Sequence, residues 1–450
     1  MNDNNDNNDN NDNNDNNDKI TRINGDKIVH TPIDEYDNQL KDKLIKYKGL
    51  IGDMYQGDVE VFESERSHYR MRANFNIWRD MKPNSKSKNN NSNSNNEPDP
   101  HIYYSMFNES KEACEIKSFP RGSILMNELM PKLLKYIRTS VILQEKLFEV
   151  RFVTTSSNNS LIVMIYRRPI DDIWGKEAQI VAKDLNVKIV GRSRKIKLIV
   201  GHKNKNLNGD DDSAEDGETV EEILNVNGNA LKYYQTEGAF SQPNAKVCEK
   251  MLKWSLDVTS NSNKDSDDLL ELYCGGGTFT AALASNFHNV IATEISKASV
   301  ALAHRTFKAN SITNIKVARL SSEEFTEAYQ NKREFQRLKN EGISNLNEYN
   351  ITTVLVDPPR AGLDVNTCHL IALFDKIVYI SCNPETLARD LRILTTTHNI
   401  MKCAAFDQFP YTHHLECGIY LEKKKSNNTN NNDDSILGKR KSFENNESNS

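Results

Sequence analysis

No paired cysteine framework is present. The seven cysteines, Cys114, Cys248, Cys274, Cys368, Cys382, Cys403 and Cys417, form no CxxC pair, so zinc-ribbon and iron–sulfur spacings are missing. His413 and His414 are adjacent and cannot both face one side of a helix or strand, and no metal site is expected. No apolar run is long enough to cross a membrane. The opening "MNDNNDNNDNN" carries neither a signal-peptide core nor the Arg-rich, acid-poor start of a transit peptide. An excess of positive charge is also lacking: the formal net charge is −5. These absences predict a soluble, metal-free, monomeric protein of a reducing compartment, cytoplasmic and without a membrane partner. The basic "GKRK" at 438–441 keeps a nuclear location open.

Asparagine is what the chain has in abundance. Residues 1–18 are an Asn/Asp repeat unable to bury a core, and disorder is expected there. Similar low-complexity inserts occupy 81–100 and 204–222, and a tail runs over 425–450. Between them, residues 19–240 read as an α+β domain. In "HYRMRANFNIWRD", Tyr69, Met71, Ala73, Phe75 and Ile77 alternate with a basic, amide-rich face, the pattern of a half-buried strand. That second face suits phosphate contact, or is an ordinary solvated surface. A helix is expected over about 126–140, with strands at 146–155 and 160–168.

From 241 to 424 strands and helices alternate, which predicts a parallel α/β sheet. "DLLELYC" (268–274) reads as a strand, followed by Gly275, Gly276 and Gly277 opening a helix. Glycines after a strand permit a tight turn and close approach of a ligand. Glu294 closes the next strand 19 positions after Gly275, the distance at which an acidic residue binds ribose hydroxyls in doubly wound folds. In "VDPPR", two prolines hold Asp357 rigidly after its strand; a turn-capping carboxylate is the alternative. In "KIVYISCNPETLARDL", Cys382 falls between a buried strand and a helix opened by Asn383 and Pro384. A helix N-terminus favours an anion, so the thiol is expected to have a depressed pKa, unless Cys382 merely closes the strand.

The motifs "FSQPN" (240–244), "LLELYCGGGTF" (269–279), "ATEISKASVALA" (292–303), "VDPPRAGLD" (356–364), "YISCNPETL" (379–387) and "FDQFPYTHHLECG" (406–418) resemble the tRNA (uracil-5-)-methyltransferase family of the TrmA type. "HYRMRANFNIW", "SFPRGS" and "KLFEVRFVTT" extend the similarity into the amino half, over most of residues 60–422 outside the inserts. The resemblance implies a carboxy-terminal Rossmann-like, S-adenosylmethionine-dependent methyltransferase domain behind an amino-terminal α+β RNA-binding domain. It implies methylation of C5 of uridine 54 in the T-loop of tRNA. It makes Cys382 the nucleophile, Glu416 the general base, and Gln242, Tyr273, Gly275, Thr278, Glu294 and Asp357 the S-adenosylmethionine site. At Thr278 the family pattern usually has Asn, in a "CGNGNF" loop.

The chemistry agrees with that set. C5 of uracil is too weak a nucleophile to take a methyl group directly. A thiolate adding at C6 generates an enolate whose C5 can attack, after which a base removes the C5 proton and the cysteine leaves. The target base must also leave its stack, so phosphate grips and stacking surfaces are needed, for which Arg70, Arg72, Phe148, Arg167 and Arg360 are the candidates. Two other functions fit part of the pattern: an RNA-binding or tRNA-folding protein whose catalysis is dispensable, and a uracil-C5 methyltransferase acting on ribosomal RNA.

Overall fold

The structure is a computed structural model that describes residues 22–23, 26–27, 35–80, 101–107, 112–201 and 218–425. The expected Asn/Asp repeat at 1–18, the insert at 81–100, most of the insert at 204–222 and the tail beyond 425, with its "GKRK", lie outside the described residues.

After a short antiparallel pair at Arg22–Ile23 and Asp26–Lys27 come helix α1 (Tyr36–Ile51) and strand β1 (Val59–Phe62). A seven-stranded sheet follows, made by β2 (Arg72–Asp80), β3 (His101–Phe107), β4 (Ala113–Glu115), β5 (Leu147–Thr154), β6 (Ser160–Tyr166), β7 (Lys188–Ser193) and β8 (Ile196–Val200), in the order β8-β7-β6-β5-β2-β3-β4. Helices α2 (Ile124–Thr139) and α3 (Asp172–Leu185) cover one face. The alternation read in "HYRMRANFNIW" holds: Tyr69, Met71, Ala73, Phe75 and Ile77 are all buried. Strand β9 (Thr219–Val226) pairs with β10 (Asn229–Thr236) as a hairpin. The insert expected to run to 222 therefore stops earlier. Glu222 is buried, and its Oε1 accepts the Ser156 backbone N–H.

Helix α4 (Ala245–Val258) leads into an eight-stranded sheet. Its members are β11 (Asp268–Leu272), β12 (Val290–Thr293), β13 (Ile315–Ala318), β14 (Ile351–Val356), β15 (Lys376–Ser381), β16 (His398–Phe406) and β17 (Glu416–Lys423), with β1 added. The order is β13-β12-β11-β14-β15-β17-β16-β1. Strands β11 to β15 are mutually parallel, while β17 runs against both neighbours. Chain order reverses between β11 and β14, which opens a crevice at their carboxyl ends. Both faces are covered. Helices α5 (Thr278–Leu283) and α6 (Lys297–Ala309) share the β9–β10 face with α4; α7 (Ser322–Tyr329), α8 (Val365–Ile371) and α9 (Pro384–Leu394) share the other with α1. Burial on both faces explains why strands such as "ITTVLV" and "KIVYIS" read as continuous apolar runs.

The packing corrects one expected boundary. Residues 36–62 do not join the seven-stranded sheet within a 19–240 domain. Val59–Phe62 pairs in parallel with Cys403–Phe406, and Tyr47 and Ile51 sit in the core beneath the eight-stranded sheet. The physical reason is that β16 would otherwise be the open edge of the eight-stranded sheet.

Candidate active site

The crevice is built from chain turns, one per strand. After β11, Tyr273 and Gly275 adopt positive φ (63° and 55°), as does Gly277 (77°). A Cβ on Gly277 would come within 2.7 Å of the Phe307 ring, so this position needs glycine for helix packing as well as for its conformation. Thr278 is the first residue of α5, behind Gly277 as N-cap. Glu294 follows β12 and ties the turns together: its Oε2 accepts the Gly275 N–H at 3.0 Å, and its Oε1 accepts the Ser296 N–H at 2.7 Å. Tyr273 donates its hydroxyl to Ser322 Oγ at 2.6 Å. Ser322 carried no sequence signal, because it acts through a neighbour 49 residues away.

Asp357 follows β14, and Cys382 follows β15. Glu416 opens β17, which runs the other way and so presents its first residue to this same edge. Cys417 pairs with Ser381, and Glu416 with Phe406, which sets Glu416 beside Cys382 beyond the last rung. The strand order thus gathers residues from 273 to 416 along one edge.

Helix α9 starts as its sequence predicts, with the Asn383 side chain accepting the Glu385 N–H. Asn383 Nδ2 also donates to the Arg360 carbonyl at 3.1 Å, which fixes the loop after Asp357. Asp390 completes that attachment: its Oδ2 accepts the Leu363 N–H at 2.8 Å and the Tyr379 hydroxyl at 2.7 Å. A carboxylate at helical spacing among Leu387, Leu391 and Leu394 is the signal that could have revealed it.

The electrostatics overturn the expected thiol. Burial pushes Cys382 up to about 12, with Glu416 and Asp357 adding to the rise and Arg360 opposing it. Burial also raises Asp357, and it raises Glu416, on which Asp357 acts in the same direction. The helix N-terminus is outweighed because two carboxylates and low polarity both oppose a thiolate. This edge holds a thiol beside two carboxyl groups that resist ionisation.

The turns fit an S-adenosylmethionine donor. Gln242 Oε1 is buried without a hydrogen-bond partner, and each Glu294 oxygen keeps capacity for a further hydroxyl donor. Gln242, Tyr273, Gly275, Thr278, Glu294 and Asp357 are the residues that would hold it.

The expected RNA contacts separate. Arg360 lies at the catalytic edge, with its Nη2 3.4 Å from His414 Nε2. Phe148 and Arg167 lie on the seven-stranded sheet, the guanidinium 3.8 Å from the ring centroid, in a shallow cleft of about 310 Å³ with Trp78, Arg79 and Lys146. Arg70 is half-buried and donates to the Arg72 carbonyl. Arg72 is corrected: its guanidinium donates to Ala239 O, Ser241 Oγ, Thr236 O and Glu237 O at 2.8–3.2 Å, so it is bound to the protein itself.

The sequence model of the family described as tRNA (Uracil-5-)-methyltransferase matches residues 35–424. A Cellvibrio japonicus protein named tRNA/tmRNA (uracil-C(5))-methyltransferase is 44% identical over 390 residues, 86% of this chain and 96% of that protein. A namesake from Vibrio parahaemolyticus is 43% identical over 395 residues, covering 86% and 97%. The Pyrococcus abyssi tRNA (uracil-54, C5)-methyltransferase, solved in complex with S-adenosyl-L-homocysteine, shares the fold with a TM-score of 0.59 at 19% identity, over 90% of this chain and 91% of that one. A parallel sheet with a nucleotide-type glycine turn, one edge-placed cysteine and near-full-length likeness lead to one assignment: the chain belongs to the tRNA (uracil-5-)-methyltransferase family.

Proposed function

We propose that the chain methylates C5 of uridine 54 in the T-loop of tRNA through a covalent adduct between Cys382 and C6. The observation that carries this reading is the convergence of Cys382, Glu416 and Asp357 on the glycine-turn edge. S-adenosylmethionine, when bound, supplies the electrophilic methyl group and a positive sulfonium charge. The Cys382 thiol releases its proton to solvent and the sulfur bonds to C6 as the C5–C6 π pair moves towards C5 and the C4 carbonyl, which turns C5 into the nucleophile. After methylation, Glu416 takes the C5 proton, and the electron pair of that bond re-forms the C5–C6 double bond as the C6–S bond breaks. Burial raises the Glu416 pKa, so its carboxylate, once ionised, is a stronger base for that last step. Arg70, Phe148, Arg167 and Arg360 are assigned to the RNA, with the seven-stranded sheet as its main support.

The test uses tRNA carrying 5-fluorouridine, because fluorine at C5 blocks the final elimination. A denaturant-resistant protein–RNA band should form and vanish in Cys382→Ala; a band that survives the substitution removes Cys382 from the role. The curated relatives are named for tRNA and tmRNA alike, so both RNAs, with ribosomal RNA, belong in the panel. Mass spectrometry of nucleosides from total tRNA with and without the gene then identifies the substrate. Unchanged 5-methyluridine in tRNA would exclude the tRNA reading.

A further inference from the structure

We infer that Arg72 is a positioning residue for the methyl-donor site, acting through the segment 239–242 rather than on RNA. This inference rests on the proposed function and assigns Arg72 a place within it. The segment between the β9–β10 hairpin and α4 has no regular secondary structure and carries Gln242. Its main chain at Glu237 and Ala239, the Ser241 hydroxyl and the carbonyl of Thr236 at the end of β10 all receive the Arg72 guanidinium. Ser241 Oγ in turn donates to Gln235 Oε1 at 3.0 Å, and Gln235 Nε2 donates to the buried Glu222 at 3.2 Å. The backbone is stitched at the same place: Met71 N–H donates to Pro243 O at 2.7 Å, and Arg70 bridges Asn244. Glu237 is further anchored by Arg151 and Arg192 from the seven-stranded sheet. The start of β2 therefore sets where Gln242 stands. The two terminal nitrogens of the guanidinium serve four acceptors, more than the three donors of a lysine ammonium can, so lysine is not an equivalent. The arrangement also joins the sheet proposed to hold RNA to the residue proposed to hold the donor.

The experiment measures binding of S-adenosylhomocysteine by calorimetry in the absence of RNA, beside binding of unmodified tRNA by filter retention. Arg72→Met should weaken S-adenosylhomocysteine about tenfold or more, the loss expected when charged hydrogen bonds are removed, and leave tRNA affinity and its salt dependence unchanged. Arg72→Lys should recover little of the loss. Should Arg72→Met fail to fold, Arg72→Lys and Ser241→Ala decide: several-fold weaker S-adenosylhomocysteine with unaltered tRNA binding supports the assignment. Unchanged S-adenosylhomocysteine affinity, or a fall in tRNA affinity that Lys restores, overturns it. The wild-type protein separates this inference from the reading beneath it, because failure of the wild type to bind S-adenosylhomocysteine would remove the proposed function itself.

Discussion

Cys382 sits beside two carboxyl groups that oppose its ionisation, and this fixes how the free enzyme should react. With its pKa near 12, almost no thiolate exists at neutral pH. Alkylation by iodoacetamide at pH 7 should be at least about a hundredfold slower than for an exposed thiol, rising about tenfold per pH unit. Mass spectrometry of the Cys382 peptide between pH 7 and 9 reads this directly, and a rate already flat at pH 7 would contradict it. Glu416 gives the complementary prediction. Its raised folded pKa means that folding favours the protonated form. That contribution is complete below the unfolded value of about 4.3 and is lost as pH rises through the folded value. Glu416→Gln stays neutral, so it should melt higher than wild type, with the gap widening towards alkaline pH. In a single turnover with labelled donor and natural tRNA, the same variant should accumulate a methylated covalent complex, because Gln cannot accept the C5 proton. Normal multiple turnover would dismiss Glu416 as the base.

At the scale of elements, the catalytic edge depends on the joint between the loop after β14 and the start of α9. The joint is legible only in part from sequence: Asn383–Pro384 announces the helix start, but nothing local says that Asp390 reaches back to Leu363 and Tyr379. Asp390→Ala leaves both donors buried and unpaired, and should cost about 2–4 kcal/mol. A shift of the urea midpoint at constant slope would measure it. A midpoint within error of wild type would show that this loop is held by other contacts. Gly362 belongs to the same joint: at φ 73°, its Cβ would lie 2.7 Å from an Asp390 oxygen. Glycine is therefore required there by both conformation and space.

For the whole molecule, β1 is a strand of the eight-stranded sheet and α1 packs beneath it, although both are far from it in the chain. Lys43 donates to Asp407 at 2.7 Å and to Phe409 O at 2.9 Å, and both side chains are almost fully buried. Asp407 follows β16 at the start of the loop that leads to Glu416. Lys43→Met leaves Asp407 buried without its cation, and should cost about 3–5 kcal/mol, readable as an early thermal transition. A double variant that also carries Asp407→Leu should recover most of the loss, and failure to recover would mean that Lys43 matters through other contacts. By the same packing, a fragment beginning at residue 241 should not fold cooperatively, since it exposes the β16 edge and the core that Tyr47 and Ile51 fill. A sharp, reversible melt of that fragment would show otherwise.

The sequence by itself determined the carboxy-terminal α/β sheet, the glycine turn and the positions of Glu294, Asp357 and Cys382. Each of those lies at a strand end whose signals are contiguous, so local chemistry suffices to find it, whereas Glu416 came only from the family resemblance of "FDQFPYTHHLECG". Tertiary structure alone decided three matters. It placed residues 36–62 with the far sheet, because an edge strand's partner is chosen by the edge left open and not by sequence distance. It gave Arg72 to the carbonyls of 236–239 instead of to RNA, because an alternating strand pattern shows which face a side chain takes but not what covers that face. It reversed the expected direction of the Cys382 pKa, because a pKa sums over every charge and apolar wall in space, and Asp357 and Glu416 reach the thiol from separate strands.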